Sequence, residues 1–214
     1  LLHRSIFYQL KLDHSYELKE LKKEDLESFV NRNRYFGYNV TIPYKKTIFN
    51  YINNFENSCE DIGSVNCIFR GKGYNTDWKG FVLSLKKNDI DVSQKKCAII
   101  GAGATAKSIA YALIELRCKS ISIYNRTHEN RISLENWIRF KIKTYNTKNY
   151  DIIINSTSLG MWPNILESPM IKFITSKDQI FYDVIYNPIK TKFLKEAQAV
   201  SYTHLRAHET GWSL

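Results

Sequence analysis

Short apolar stretches alternate with amphipathic stretches along most of the chain. Apolar side chains spaced three and four positions apart predict helices over residues 24–30 and 77–87, and further helices are expected after Pro43 and from Gly103 to Arg117. The predicted strands are residues 16–18, 38–42, 65–70, 97–100, 120–124, 151–154 and 180–185. Because such alternation is typical of parallel βαβ units, we expect an α/β protein of two lobes, hinged near residues 87–95.

A glycine motif lies between a predicted strand and a predicted helix. Residues 101–106 read Gly-Ala-Gly-Ala-Thr-Ala, which fits the G-x-G-x-x-A pattern of dinucleotide-binding turns. The first glycine permits a tight turn, the second lets the backbone approach a pyrophosphate, and the helix N-terminus supplies N–H groups. A glycine-rich turn without a ligand is the alternative. The motif predicts a Rossmann-like lobe with cofactor contacts from Gly101, Ala102, Gly103, Ala104 and Thr105.

The next predicted strand ends in Asn125, Arg126 and Thr127, with no acidic residue before Glu129. An NAD site usually places Asp or Glu about 20 residues after the glycine motif, to hold the ribose 2′-hydroxyl. A carboxylate would repel a 2′-phosphate, whereas a guanidinium pairs with it through two hydrogen bonds. NADP is therefore the favoured cofactor. The alternative explanation of Arg126 is a solvated surface arginine.

Three polar segments of the first lobe are candidates for a substrate site. They supply Asn39, Thr41 and Lys45, then Asn66, then Asp77. Amide, hydroxyl, ammonium and carboxylate groups that converge on a cleft would suit a small polyhydroxylated substrate. Each residue alone has a structural explanation as well, as a strand-edge amide, a turn residue, a helix N-cap or a surface lysine.

Taken together, seven motifs in order make the chain similar to the shikimate dehydrogenase family. The resemblance extends over roughly residues 3 to 198, which is far more specific than any single motif. The matching segments are residues 39–45, 62–66, 73–77, 101–103, 125–127, 155–161 and 183–188 with Thr191.

The resemblance implies reversible NADPH-dependent reduction of 3-dehydroshikimate to shikimate, a step of chorismate and aromatic amino acid biosynthesis. It implies that Lys45 and Asp77 are the catalytic pair and that Tyr186 lies beside substrate and nicotinamide. Substrate hydroxyls would be bound by Asn39, Thr41 and Asn66. Further cofactor contacts would come from Thr157, Ser158, Leu159, Gly160, Met161 and Val184.

The resemblance also implies the domain organisation. We expect a substrate-binding lobe over residues 1–88, a Rossmann-like NADP-binding lobe over 89–198 and a cleft between them. The chain opens with Leu1, Leu2, His3 and Arg4, within a segment where the family carries two serines for the substrate carboxylate, and this serine pair is absent. Residues 199–214 lack the family's C-terminal glutamine helix, so we expect a chain truncated at both ends with a non-native tail. His204 and His208 in that tail lack a third ligand, so no metal is expected.

Two substitutions within the cofactor lobe depart from the family. Ala104 stands where the family usually has a second glycine of the nucleotide turn. Asn130 stands where an arginine is expected three residues after Thr127, although Arg131 follows directly. Either a one-residue offset brings Arg131 to the 2′-phosphate, or Arg126 acts alone.

Composition and charge exclude further classes of protein. The chain is 43% hydrophobic and 24% charged, with 11 Phe and 14 Tyr, which disfavours disorder. No stretch approaches the roughly 18 apolar residues of a membrane span. The net charge of +10 is concentrated in residues 96–214, which hold 16 basic and 9 acidic groups. The basic residues are scattered and not interleaved with aromatic ones, so a nucleotide is a better partner for this half than nucleic acid.

The four cysteines form no Cys-x-x-Cys pair, so we expect reduced, mostly buried thiols and a cytoplasmic protein. A monomer or a homodimer is expected.

Two alternative functions stay open. One is a quinate/shikimate dehydrogenase that prefers NAD, which an acidic residue in place of Asn125 or Arg126 would favour. The other is a catalytically impaired nucleotide-binding module, which the missing terminal segments make plausible.

Overall fold

The computed structural model describes residues 2–32, 34–142, 149–169, 179–199 and 203–206. The α-helices are α1 (Leu2–Gln9), α2 (Leu26–Arg32), α3 (Asn57–Ile62), α4 (Asp77–Lys87), α5 (Ala104–Glu115), α6 (His128–Arg139) and α7 (Lys192–Ala199). The strands are β1 (Gly37–Asn39), β2 (Cys67–Phe69), β3 (Lys72–Tyr74), β4 (Lys96–Ile100), β5 (Ser120–Tyr124), β6 (Ile152–Asn155), β7 (Ile180–Asp183) and β8 (Thr203–Arg206). Two short 3₁₀ helices are Lys23–Asp25 and Ile48–Tyr51.

The second half of the chain forms a parallel five-stranded sheet in the order β5-β4-β6-β7-β8. Its central strands are buried on both faces, which explains why β4 and β6 read as nearly continuous apolar runs. Cys97 and Ile99 pack into a core that includes side chains from α4, α5 and α6. Ala98 and Ile100 point to the opposite face, where they pack with α7.

The first half forms a smaller sheet in the order β1-β2-β3, and both pairings are antiparallel. The expectation of parallel βαβ units is therefore wrong for this half. An isolated bridge between Phe55 and Gly73 is parallel, but it joins single residues and not two strands. The reason is the connection between β2 and β3, which consists of Arg70 and Gly71 with φ values of 49° and 74°. Two consecutive residues with positive φ make the tight hairpin turn that joins antiparallel strands.

Several predicted elements differ in extent from the observed ones. Residues 16–18 form no strand, and Leu18 is almost fully exposed, so the alternation of Tyr16, Glu17 and Leu18 has no core to face. The helix expected after Pro43 is a series of turns that ends in the 3₁₀ helix Ile48–Tyr51. The helix predicted over residues 77–87 and the strand predicted over 120–124 are confirmed at both ends.

Helix α4 connects the two halves of the molecule. It begins three residues after β3 and packs along α5, the helix that follows the glycine motif. The predicted catalytic aspartate therefore lies on an element that is fastened to the cofactor half.

The segment 199–214, expected to be a non-native tail, lies mostly outside the described residues. Within it the structure describes Ala199 at the end of α7 and the strand β8, which pairs in parallel with β7. His208 lies outside the described residues, so the structure does not describe the pair of His204 and His208 that was considered as metal ligands.

Candidate active site

An ion pair joins the two residues that the motifs select as the catalytic pair. Lys45 Nζ lies 2.6 Å from Asp77 Oδ2, and the side chains are 16% and 23% exposed. Asp77 is the first residue of α4, where the helix dipole favours a negative charge. The carbonyl of Lys45 accepts a hydrogen bond of 2.9 Å from the backbone N–H of Val65. The lysine is thereby tied to the segment that leads into β2.

Asn66 holds the second carboxylate oxygen of Asp77. Its Nδ2 donates to Asp77 Oδ1 at 2.7 Å and to Thr76 Oγ1 at 3.0 Å. Its Oδ1 accepts from the backbone N–H of Thr76 at 2.8 Å. Each carboxylate oxygen of Asp77 thus has its own donor, and this leaves Lys45 with protons that are not committed to the aspartate. Thr76 is an exposed site residue that the motif contained but that sequence reasoning did not single out.

Asn39 lies at the same end of the antiparallel sheet. It pairs with Cys67 across β1 and β2, so it is adjacent to Asn66. Its Nδ2 donates to His3 Nε2 at 2.9 Å and to the hydroxyl of Tyr16 at 3.3 Å. The rings of His3 and Tyr16 stack with centroids 4.0 Å apart. These two residues were missed, because nothing in the local sequence places either one beside Asn39.

Thr41 is exposed just beyond β1, and its carbonyl accepts a hydrogen bond of 3.0 Å from Tyr44 N–H in the turn that carries Lys45. The structure therefore brings four of the predicted substrate-side residues, together with Asp77, to one end of the small sheet. Tyr186 comes from the other half of the molecule and is 61% exposed.

The predicted cofactor segments meet at one edge of the parallel sheet. Ile100, Tyr124, Asn155 and Asp183 are in register at the carboxyl ends of their strands, so the loops that follow them start side by side. Ligands of open α/β sheets bind outside this edge. Gly101 has a φ of 114° and donates from its backbone N–H to the carbonyl of Tyr124 at 2.7 Å.

A guanidinium is exposed at the end of β5. Arg126 has an exposed side chain and lies just before the start of α6. The residue before it, Asn125, donates from Nδ2 to the carbonyl of Thr127 at 2.8 Å. Arg131 forms an ion pair of 2.9 Å with Glu135, one turn further along α6. Of the two arginines considered for a 2′-phosphate, Arg126 therefore has the side chain that extends into solvent beside the glycine turn.

A buried carboxylate anchors the segment that contains Val184 and Tyr186. Asp183 is fully buried and accepts hydrogen bonds from Thr191 Oγ1 at 2.6 Å, from the N–H of Ile185 at 3.0 Å and from Asn155 Nδ2 at 3.2 Å. Burial raises the pKa of Asp183, while these hydrogen bonds act in the opposite direction. The carboxylate thereby fixes the start of the segment that carries Tyr186.

Asn155 extends the same network into the neighbouring loop. Its Oδ1 accepts from Thr157 Oγ1 at 2.7 Å and from the Thr157 N–H at 3.0 Å. Thr157 Oγ1 accepts in turn from the N–H of Leu159 at 3.2 Å. Ser158 lies in the same turn, and the N–H of Met161 donates to its carbonyl at 3.1 Å; Gly160 has a φ of 96°. The two loops predicted to contact the cofactor are therefore held by one connected set of hydrogen bonds, which starts from the buried Asp183.

The described ranges hold neither a metal cluster nor a membrane-spanning helix. Among the residues that the structure describes, no group of three or more His, Cys, Asp or Glu side chains is placed to hold a metal ion. None of the helices in those ranges combines the length and apolar character needed to cross a bilayer.

Comparison with known families decides the relationship. Residues 1–68 match the family described as the shikimate dehydrogenase substrate binding domain, and residues 83–194 match the family described as shikimate / quinate 5-dehydrogenase. The chain belongs to the shikimate dehydrogenase family. The resemblance inferred from the seven motifs is thereby confirmed, together with the α/β fold of a substrate-binding part and a Rossmann-like part.

Related proteins align with this chain over most of their length. A shikimate dehydrogenase (NADP(+)) of Caldanaerobacter subterraneus subsp. tengcongensis is 37% identical over 92% of this chain and 77% of its own. A crystal structure of a shikimate dehydrogenase in complex with NADP+ superimposes with a TM-score of 0.88, at 31% identity, covering 96% of this chain and 78% of that one. The shikimate 5-dehydrogenase of Thermus thermophilus, solved with NADP(H) and shikimate, gives a TM-score of 0.84 at 25% identity, covering 95% and 79%.

Gly101→Ala tests the strand-to-helix turn of this shikimate dehydrogenase family member. A Cβ at position 101 would lie 2.6 Å from Ser156 Oγ, and the φ of 114° is strained for any other residue. We expect the free energy of unfolding to fall by about 1–3 kcal/mol. Urea denaturation measures it. Gly80→Ala is the matched control, since nothing lies within 4 Å of a Cβ there in α4. That variant should be as stable as the native chain or gain up to about 1 kcal/mol, and equal stability of the two variants would contradict the expectation.

Proposed function

We propose that this chain is an NADP-dependent shikimate dehydrogenase, an oxidoreductase that reversibly reduces the ketone of 3-dehydroshikimate to the alcohol of shikimate. The observation that carries the proposal is the ion pair of Lys45 and Asp77, with Asn66 on the second carboxylate oxygen, in a chain of the shikimate dehydrogenase family. The sequence predicts both the activity and the cofactor, and the name of the Caldanaerobacter relative, shikimate dehydrogenase (NADP(+)), gives the same two.

Lys45 is the proton donor of this mechanism. NADPH, held by the glycine turn and Arg126, would supply the hydride to the ketone carbon. As the carbonyl oxygen gains negative charge, the ammonium of Lys45 stabilises it and then protonates it. In the oxidation direction the neutral amine takes the proton back. Asp77 orients the ammonium from 2.6 Å, and Asn66 keeps the carboxylate from rotating.

The substrate's hydroxyls are bound by residues around this pair. Thr41 supplies a hydroxyl on one side, and Asn66 exchanges its amide contact with Thr76 for one with the substrate while it keeps the contact with Asp77. Asn39 has both amide protons directed to His3 and Tyr16, so its carbonyl oxygen is the group that accepts from a substrate hydroxyl. Tyr186 lies on the segment anchored by Asp183 and would contact substrate and nicotinamide.

The residues at the parallel edge fit NADP. No side chain caps the first turn of α5, and a Cβ at Gly103 would meet nothing within 4 Å, so there is room for a phosphate at the helix N-terminus. Ala102, Ala104 and Thr105 complete this turn. Arg126 binds the 2′-phosphate, flanked by Asn125 and Thr127. The nicotinamide half would be held by Val184 and by the loop of Thr157, Ser158, Leu159, Gly160 and Met161.

Further parts of the proposal concern the whole molecule. We assign residues 1–88 to the substrate-binding lobe and 89–198 to the NADP-binding lobe. A cytoplasmic location is supported by Cys59, Cys97 and Cys118, which are buried free thiols. A monomer or a homodimer remains the proposed assembly.

Shikimate oxidation tests the activity. The protein is mixed with shikimate and NADP+, and the NADPH absorbance band is followed over time. We expect a higher kcat/KM for shikimate than for quinate and for NADP+ than for NAD+. A preference for quinate with NAD+ would support the quinate/shikimate dehydrogenase instead. Binding of NADP+ without any turnover would support a catalytically impaired nucleotide-binding module.

Lys45→Met tests the proton donor. It keeps a side chain of similar length but removes the ammonium, so we expect kcat to fall by about 10²–10⁴. The dissociation constant for NADP+, measured by fluorescence titration, should stay unchanged because the residue lies on the substrate side. Lys46→Met is the matched control, since Lys46 is its exposed neighbour. Full turnover in the Lys45 variant would remove this residue from the mechanism.

Arg126→Asp tests the cofactor preference. The substitution replaces the guanidinium with a carboxylate that repels a 2′-phosphate and can hold a 2′-hydroxyl. We expect the ratio of kcat/KM with NADP+ to that with NAD+ to fall by about 10- to 100-fold. Arg139→Asp makes the same change of charge at an exposed position at the end of α6 and should leave the ratio unaltered. A ratio that is the same in both variants would exclude Arg126 from the 2′-phosphate site.

A further inference from the structure

We propose that Asn75 and Ser108 form a positioning link that fixes the catalytic ion pair relative to the cofactor helix. The link sets the distance over which hydride is transferred, although neither residue contacts substrate or cofactor. This inference rests on the proposed function, because it concerns the alignment of substrate and nicotinamide. It assigns a role to two residues that the motif analysis left without one.

Asn75 lies between β3 and α4 and is fully buried. Its Nδ2 is 3.0 Å from Ser64 Oγ, 3.2 Å from the Ser64 carbonyl and 3.2 Å from Ser108 Oγ, and it donates to these acceptors. Its Oδ1 accepts from the backbone N–H of Asp77 at 3.2 Å. A buried primary amide with a partner on every side has one favourable orientation, so its position is well defined.

Ser108 belongs to the cofactor half. It lies on α5 one turn after Ala104, and its Oγ donates to the Ala104 carbonyl at 3.1 Å. Ser108 is also fully buried, so its hydrogen bond to Asn75 is shielded from water. The hydroxyl therefore connects the turn proposed to bind the pyrophosphate with the amide that holds the start of α4.

The same amide reaches the catalytic pair. Asn75 accepts from the N–H of Asp77, and the carboxylate of Asp77 holds Lys45. From the cofactor helix to the proton donor there are thus three successive polar contacts: Ser108 to Asn75, Asn75 to Asp77, and Asp77 to Lys45. A shift of the helix relative to the small sheet would have to break or stretch the first of them.

Two other polar contacts between the two halves lie further from the chemistry. The rings of Trp78 and Tyr111, with centroids 5.3 Å apart, meet beside Asp77, but this contact is one of packing and not a hydrogen bond. Ser84 Oγ is 2.7 Å from the hydroxyl of Tyr182, about two turns along α4 from Asp77. Lys141 pairs with Asp61 at 2.9 Å, and both side chains are partly exposed, so water screens the attraction. These contacts join the halves, whereas the Asn75–Ser108 contact is the one directly attached to the catalytic aspartate.

Ser108→Ala severs the link and leaves Asn75 bonded to Ser64 and Asp77. We expect kcat for shikimate oxidation to fall roughly tenfold, because small misplacements of reacting groups are costly and one hydrogen bond is lost. The dissociation constants for NADP+ and shikimate should change less than twofold. Shikimate that carries deuterium on the oxidised carbon should show a larger isotope effect on kcat than with the native enzyme, since hydride transfer becomes more rate-limiting.

Ser120→Ala is the matched control. Ser120 is equally buried on β5, and its Oγ has no hydrogen-bond partner in the part of the chain that the structure describes. It should keep the native kcat and isotope effect. A fall in kcat equal to that of the Ser108 variant would mean that any buried serine has this effect and would overturn the proposal. Unchanged kcat and isotope effect in Ser108→Ala would overturn it too.

A double variant separates the link from a general loss of stability. If Asn75 and Ser108 act through each other, Ser108→Ala added to Asn75→Ala should lower kcat no further. Fully multiplicative effects would contradict the link. Where Asn75→Ala fails to fold, the single Ser108 variant and the distance measurement below decide.

A distance measurement keeps the inference independent of the substrate. Nitroxide labels are placed at Glu24→Cys and Asn130→Cys, both exposed and in different halves, in a chain where the half-buried Cys67 is replaced by Ser. Pulsed electron resonance should give a broader distance distribution after Ser108→Ala. Identical distributions would overturn the link. If the native chain oxidises no shikimate, the proposed function fails, and these distributions alone decide the inference.

Discussion

The half-buried ion pair of Lys45 and Asp77 is the interaction on which the rest of the site depends. Removing an ammonium and a carboxylate from water is costly, and their attraction offsets that cost only when the geometry is held and the remaining polar atoms are bonded. The fold meets this condition with two amides. Asn66 binds the free carboxylate oxygen, and Asn75 binds the backbone N–H of the same aspartate. Both amides are supplied by segments next to the small antiparallel sheet.

The second constraint comes from the parallel sheet. Because its strands end in register, the loops that follow β4, β5, β6 and β7 must share one edge, and a ligand that spans them is bound by parts of the chain far apart in sequence. Loops of this kind are usually mobile. Here the buried carboxylate of Asp183 bonds to Thr191 and Asn155, and thereby holds two of the four loops. Among the described residues no cation pairs with Asp183, and hydrogen bonds from three directions replace the hydration of its carboxyl group in the core.

Much of the fold could be predicted because the signal was local. The helix from Asp77 carries its apolar residues on one face and ends at paired lysines, and both of its bounds were predicted correctly. The antiparallel sheet was missed, because it depends on positive φ at Arg70, a residue type that gives no turn signal. The strand expected at residues 16–18 was wrong, since its alternation continued for too few residues to imply a buried face.

The sequence by itself determined the family: the motifs that contain Lys45, Asp77 and the glycine turn pointed, in their order, to the shikimate dehydrogenase family before any geometry was known. It did so because polar residue types and glycines recur in these motifs at characteristic spacings. Only the tertiary structure decided which groups touch. The contacts of Asn39 with His3 and Tyr16, and of Asn75 with Ser108, join positions more than 20 residues apart, and no local pattern encodes them. Packing of the two halves along α4 and α5 creates these contacts, so they become visible when the chain is folded.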